Sequence, residues 1–307
     1  MRKEPMKIGD LLKKYNLLVL LIVFIVIASI LSPNFLTIGN VLNLLQQASI
    51  PGIVAIGMTL VIIISGIDLS VGSVAAFAGM ISAILVSKNV PIIIAVLAGV
   101  VLGAALGLVT GILIAKFGLP DFIASLAMME IARGAALLTT QGVPVFGLSN
   151  EFKFIGGGFI GKVSVSGIFA LLLKYTSFGR SLFAIGGNRE AATLSGIKTT
   201  RNYAITYVLC AALAAFAGVL TASWLATGQP TAGDGMELNA IAASVIGGAS
   251  LSGGIGSMLG TFGGVFLLQI ITNIFNLVGL ASFYQQIAKG IIIIAALLLN
   301  RAIDAKK

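Results

Sequence analysis

Pro91 to Ala115 reads PIIIAVLAGVVLGAALGLVTGILIA and carries no charged side chain. At ~1.5 Å per residue, a helix over this stretch outruns the ~30 Å hydrocarbon core of a bilayer. Gly99, Gly103, Gly107 and Gly111 recur every fourth position and so share one helix face. A face of small residues lets a neighbouring backbone approach closely. The stretch predicts a membrane-spanning helix packed tightly into a bundle.

The rest of the chain has the same character. Charged residues make up 9% of its 307 positions, against roughly 25% in an average soluble domain. The AVILMFWYC group makes up 58% and the mean hydropathy is +1.10. Such hydrophobicity excludes disorder, and the 38 glycines follow no three-residue period, which excludes collagen. The expectation is an all-α integral membrane protein of about ten spans with Gly-rich packing. Histidine is absent, so histidine acid–base catalysis and histidine metal sites are excluded. The single cysteine, Cys210, lies in an apolar run and reads as a small buried hydrophobe. No metal-ligand cluster or nucleophile with a base emerges.

Ten segments are predicted: Leu17 to Leu36, Ile50 to Ser65 (after a polar stretch, Asn40 to Ser49), Val71 to Val86, Pro91 to Ala115, Pro120 to Thr140, a weak Val163 to Leu173, Tyr203 to Thr227, Met236 to Leu251, Ile255 to Val278, and Ser282 to Asn300. A loop, Gln141 to Lys162, follows the fifth. With both termini cytoplasmic, 14 of the 19 basic residues fall on cytoplasmic segments. That bias obeys the positive-inside rule and accounts for the +9 net charge without nucleic acid. The expected organisation is a cytoplasmic segment 1–16, one transmembrane domain 17–301 with a cytoplasmic loop 174–201, and a cytoplasmic tail 302–307.

Gly256, Gly260 and Gly264 form a second glycine ladder, in the ninth segment. At ~100° per residue, Gln269, Asn273 and Asn276 cluster roughly opposite it. Interhelical hydrogen bonding and an amide-lined passage for a hydroxyl-rich solute both fit these residues. The pattern G-x-x-L-S-x-G occurs twice, at Gly66 to Gly72 and 182 residues on, at Gly248 to Gly254. Gly66, Asp68, Ser70 and Gly72 in one copy, and Gly248, Ser252 and Gly254 in the other, break hydrophobic stretches on the cytoplasmic side. Paired breaks of this kind point to an internal repeat and a transport path.

Among the charged residues of the apolar segments, Glu130 and Arg133 are spaced to pair with each other. Asp68 is placed to cap the third segment, and Asp121 suits the N-terminus of the fifth. Lys289, about seven residues into the tenth, has three readings: facing a cavity, pairing with an acid, or snorkelling.

Lys174 to Arg201 reads as soluble. Asn188 is a good N-cap for a short helix over Arg189 to Ser195, Glu190 suits the helix dipole, and Gly196 suits the C-terminal glycine position. A helix this short needs a partner surface, either another protein or the lipid on which an ordinary connecting helix lies.

Three blocks carry a resemblance. The first is Gly57 to Ile62 with Ser65 to Ser73. The second is Thr176 to Arg180 with Gly186-Gly187-Asn188-Arg189-Glu190-Ala191-Ala192 and Leu194 to Ile197. The third is Gln229 to Gly233 with Glu237 to Ala243 and Ile246 to Gly248. With these the chain resembles the permease subunits of bacterial monosaccharide ABC importers, the ribose importers most of all. The resemblance implies a translocation subunit of the bacterial cell membrane with no ATPase activity and no cofactor of its own. ATP and Mg would be used by partner ATPase subunits, an external sugar-binding protein would deliver the substrate, and two permease copies would pair. It also makes Asn188, Arg189, Glu190, Ala191, Ala192 and Gly196 a coupling helix that docks into the ATPase.

The sequence departs from the family at Val163 to Leu173, which spans only about half the core at ~1.5 Å per residue. Either that span starts earlier, near Gly156, using Gly156-Gly157-Gly158, or residues are missing from it; the expectation is a short or re-entrant helix. Gly156 with Gly161 and Lys162 approaches a phosphate-binding loop, but Val163 stands where that loop needs Ser or Thr for magnesium. The competing class is an ion-gradient-driven carrier of a small polar solute, which the scarcity of intramembrane acids disfavours.

Overall fold

The structure, a computed structural model, describes residues 16–157, 172–281, 283–291 and 294. Eleven helices are delimited among them. They are α1 (Asn16–Leu31), α2 (Ile38–Ile63), α3 (Val71–Ser87), α4 (Ile92–Ala115), α5 (Asp121–Leu138), α6 (Asn150–Gly157), α7 (Ser177–Gly187), α8 (Arg189–Leu194), α9 (Thr199–Trp224), α10 (Met236–Ile246) and α11 (Met258–Val278). Residues 283–291 are also helical. No strand occurs among the described residues beyond one isolated bridge, Val145 to Gly228. Four helices, α2, α4, α9 and α11, are long and apolar enough to cross a membrane, and α1, α3 and α10 are shorter apolar helices.

The bundle is centred on α9, which packs against α4, α3 and α2. The first glycine ladder makes the α4–α9 contact as expected. A Cβ on Gly107 would lie 2.5 Å from the Tyr207 carbonyl oxygen, and one on Gly111 would lie 2.8 Å from Ala204 Cα. Only glycine permits that approach. In the second ladder Gly260 and Gly264 face the backbone of α10 at Gly247 and Ala243, while Gly256 faces the Ile63 and Thr59 side chains of α2. Three buried hydroxyls tie this side of the bundle: Thr59 Oγ1 lies 2.6 Å from Thr261 Oγ1 and 2.9 Å from Ser244 Oγ.

Several expected boundaries change. The polar stretch Asn40 to Ser49 is helical, part of α2, which Thr37 caps and which continues through Pro51. Its polarity is absorbed by partners: Asn40 Nδ2 donates to the Phe35 carbonyl and to Asn273 Oδ1. The loop after the fifth span contains α6, whose Phe152 is fully buried and whose Gly156 N–H donates to Ser223 Oγ on α9. Gly156 therefore serves packing, while Gly161 and Lys162 lie outside the described residues.

The eighth segment is the largest change. α10 ends at Ile246 instead of Leu251 and has 11 residues. At ~1.5 Å per residue it covers about half of a bilayer core. Positions 163–171 of the weak sixth segment, Ser282 and most of the end of the tenth, the segment 1–15 and the tail 302–307 lie outside the described residues.

Candidate functional site

The soluble-looking segment folds as its sequence predicts. Asn188 is extended, with φ of −160°, and its Oδ1 accepts the Ala191 N–H at 2.9 Å. Glu190 lies in the first turn of α8. Gly196 has φ of +83°, a left-handed conformation that favours glycine. Its N–H donates to the Thr193 carbonyl, and the Ile197 N–H donates to the Ala192 carbonyl at 3.1 Å. This pair of bonds closes the helix end with its orphan carbonyls satisfied. Ala192 is buried against the protein, while Glu190, Ala191 and Leu194 face outward. Leu194 is 90% exposed, and the sequence reading does not single it out. An apolar side chain presented at the tip of a short polar helix is the signal that could have found it.

Two routes join this helix to the membrane interior. Along the first, the Arg189 guanidinium stacks 4.5 Å above the Tyr203 ring, and the Tyr203 hydroxyl donates to the Ile64 carbonyl at 2.8 Å. Ile64 opens the non-helical break between α2 and α3. Along the second, α7 ends on both breaks. A Cβ on Gly186 would collide with the Ile63 carbonyl oxygen and the Gly254 nitrogen. The breaks also bind each other directly: the Gly254 N–H donates to the Ile63 carbonyl at 2.9 Å, and Ser65 Oγ donates to the Ser252 carbonyl at 2.9 Å. The two copies of the sequence echo therefore meet beneath the α7–α8 segment. Their flanking helices differ in length, 26 and 17 residues around the first and 11 and 21 around the second.

Within the first break, Asp68 is fully buried and does not cap α3. Ser70 holds the N-cap position without a side-chain capping bond, and Asp68 Oδ1 instead accepts from the Ser70 N–H at 2.9 Å and the Ser70 hydroxyl at 2.6 Å. Asp68 lies two positions before the N-cap, too early in the chain to reach the helix amides. Gly66 lies against Tyr207 and Val61, and Gly72 faces Gly233 and the Glu237 carboxylate at the start of α10. Asp121 heads α5 as expected, and it also accepts the Ile67 N–H at 3.1 Å, fixing the break from a third side. Gly248, in the second break, has φ of +91° and open space around it.

The expected Glu130–Arg133 pair does not form. Arg133 donates to the carbonyls of Pro230 at 2.7 Å and Ala232 at 2.9 Å, and pairs with Asp234 at 2.6 Å. Glu130 is exposed. Residues 225–235 are largely non-helical and run beside α3: Gly228 sits at Ala83 and Met80, and Gly233 at Gly72. No backbone N–H among the described residues reaches the Pro230 and Ala232 carbonyls, and buried carbonyls need donors. That need draws the long Arg133 side chain away from its own helix.

The three amide residues go to different partners. Asn273 is buried in a reciprocal pair with Asn40, with bonds of 2.8 and 3.0 Å. Asn276 Oδ1 accepts from Gln285 Nε2 at 2.8 Å. Gln269 faces a small cavity with Lys289. Replacing Asn273 with Leu should cost about 1–2 kcal/mol by stranding the Asn40 amide. The Asn40→Leu, Asn273→Leu double variant should recover most of that loss in a detergent melt. Additive losses would show that the pair is not coupled.

These features, a short capped helix tied to two touching breaks and a non-helical segment inside an apolar bundle, are accompanied by sequence likeness along nearly the whole chain. The family described as "Branched-chain amino acid transport system / permease component" matches residues 40–297. The ribose import permease protein RbsC of Escherichia coli K12 is 45% identical over 295 residues, 92% of each chain. RbsC of Bacillus subtilis is 43% identical over 291 residues, 92% of this chain and 90% of the relative. The L-arabinose transport system permease protein AraH of E. coli K12 is 37% identical over 308 residues, 97% and 94% of the two chains. No solved structure matches. With a family match over most of its length and relatives of this identity, the chain belongs to this family of membrane permeases.

Proposed function

We propose that the chain is the transmembrane permease subunit of an ATP-binding cassette importer that moves a monosaccharide, ribose, into the cytoplasm. The observation that carries the substrate is the 45% identity to a ribose import permease across 92% of both chains. The mechanical reading rests on α8. ATP and Mg are used by separate ATPase subunits, and this chain brings no nucleotide-binding motif of its own. An external binding protein delivers the sugar, and two permease copies pair. In this reading both termini are cytoplasmic, and α7 and α8 lie on the ATPase side of a bacterial cell membrane.

Closure of the ATPases pushes on α8. Arg189 and Tyr203 pass the displacement to the first break, and Gly186 passes it to both. Breaks that are bonded to each other move together, which switches the permease between outward- and inward-facing states.

The experiment is purification of the tagged importer from cells carrying Leu194→Asp or Glu190→Ala. Leu194→Asp is expected to cut ATPase co-purification roughly ten-fold, the size of one interface anchor. Glu190→Ala should have a smaller effect, and membrane insertion should be normal in both. Wild-type co-purification and uptake in both variants would remove α8 from the ATPase interface.

A further inference from the structure

A partly open cavity of about 70 Å³ lies between α2, α10, α11 and the helix 283–291, lined by Asn239 and Ala243 of α10, Val265, Leu268, Gln269 and Thr272 of α11, Pro51 of α2, and Lys289. It sits beside the first two turns of α10, the half-length helix. We propose that this cavity takes the hydroxyl edge of the passing sugar, with the Lys289 ammonium and the Gln269 amide as its principal partners. The proposal rests on the import reading above and names the groups that touch the solute.

Hydrogen-bond accounting supports it. Thr272 spends its proton on the Leu268 carbonyl at 3.0 Å, so it presents an acceptor to the cavity. Asn239 spends an amide proton on the Gly235 carbonyl at 2.9 Å, which leaves its Oδ1 available. Gln269 and Lys289 have no hydrogen-bond or ion-pair partner among the described residues, although both are only partly exposed. A cation and an amide held in an apolar bundle without partners are costly, and intramembrane ionisable groups mark solute paths.

The mixture of groups selects the ligand class. A hydroxyl both donates and accepts. An inorganic anion would meet the oxygen lone pairs of Asn239 and Thr272, and a metal cation would meet the Lys289 charge. At ~30 Å³ per water the space holds about two waters, the footprint of two sugar hydroxyls and less than a whole pentose. It is a brief contact on a path, suited to release.

The test uses the whole importer in proteoliposomes, with its ATPase and with binding protein saturated by radiolabelled ribose or 2-deoxyribose. Lys289→Met and Gln269→Leu are each expected to lower maximal ribose uptake roughly ten-fold. Both should also bring the ribose-to-deoxyribose uptake ratio toward one, because the wild-type preference depends on hydroxyls. Lys289→Arg should retain most uptake. Wild-type rates and ratio in both variants would overturn the proposal, and so would lost uptake with an unchanged ratio, which reports packing alone. If Lys289→Met fails to assemble, Gln269→Leu, which removes no charge, decides the matter. A wild-type importer that moves no pentose sinks the import reading itself. Pentose uptake indifferent to both substitutions sinks only the cavity assignment.

Discussion

Arg133→Met should sharply lower the yield of folded protein and reduce its melting temperature in detergent by roughly 10 °C. Methionine keeps most of the side-chain length and removes every donor. The Pro230 and Ala232 carbonyls then lose their charged partner on backbone that has no helix to rejoin. Each charge-assisted bond is worth about 1.5–3 kcal/mol, so the pair puts about 3–6 kcal/mol at risk. That is a large fraction of a typical stability of about 5–15 kcal/mol. The ion pair contributes far less, because Asp234 is 74% exposed and solvent screens it. Asp234→Asn should therefore change the melt by no more than about a degree or two. Equal losses in the two variants would mean that the ion pair, and not the carbonyl bonds, is what Arg133 supplies.

Gly186→Ala should leave the permease folded and bound to its ATPase while cutting uptake at least ten-fold. Glycine inside a helix is locally unfavourable by roughly 0.5–1 kcal/mol relative to alanine, so propensity alone forecasts a more stable α7. Packing decides the other way. The added methyl would occupy the space of the Ile63 carbonyl oxygen and the Gly254 nitrogen, and backbone atoms cannot rotate aside. The end of α7 must lift off both breaks, which severs one of the two routes from α8. The neighbouring Gly187→Ala is the control, since a Cβ there meets nothing within 4 Å. It should transport normally and melt at the same temperature or slightly higher. Transport by Gly186→Ala at the wild-type rate would mean that α7 does not drive the breaks.

Local signals in the sequence were readable because their causes are local. The Asn188 cap and the Gly196 terminus depend on a few neighbouring residues, and both form as read. The glycine ladder of α4 announces a close contact by its spacing, although the spacing does not say that α9 is the partner. Long-range choices were not readable. Arg133 has Glu130 one turn away, yet it reaches a segment about a hundred positions on, because buried carbonyls without donors outweigh an exposed ion pair. The end of α10 is a different case. Gly247-Gly248 is a local break signal, and Gly248 takes a left-handed φ, so the helix stops at Ile246 and not at Leu251. Asn273 was correctly placed on a polar helix face, but its partner, Asn40, lies in a stretch read as lying outside the helices.

The segment Gln229 to Gly235 has a consequence for biogenesis. An apolar helix can leave the insertion machinery alone, since its backbone is already paired within itself. A stretch of turns cannot, because each carbonyl that it leaves unpaired costs several kcal/mol in lipid. It has to wait in the channel, or at its mouth, until a donor is waiting in the membrane. Chain order provides this: Arg133 emerges from the ribosome well before Pro230 and Ala232. A permuted gene that delivers 225–246 ahead of α5 would encode the same finished contacts and yet send the unpaired segment first, toward degradation in place of assembly.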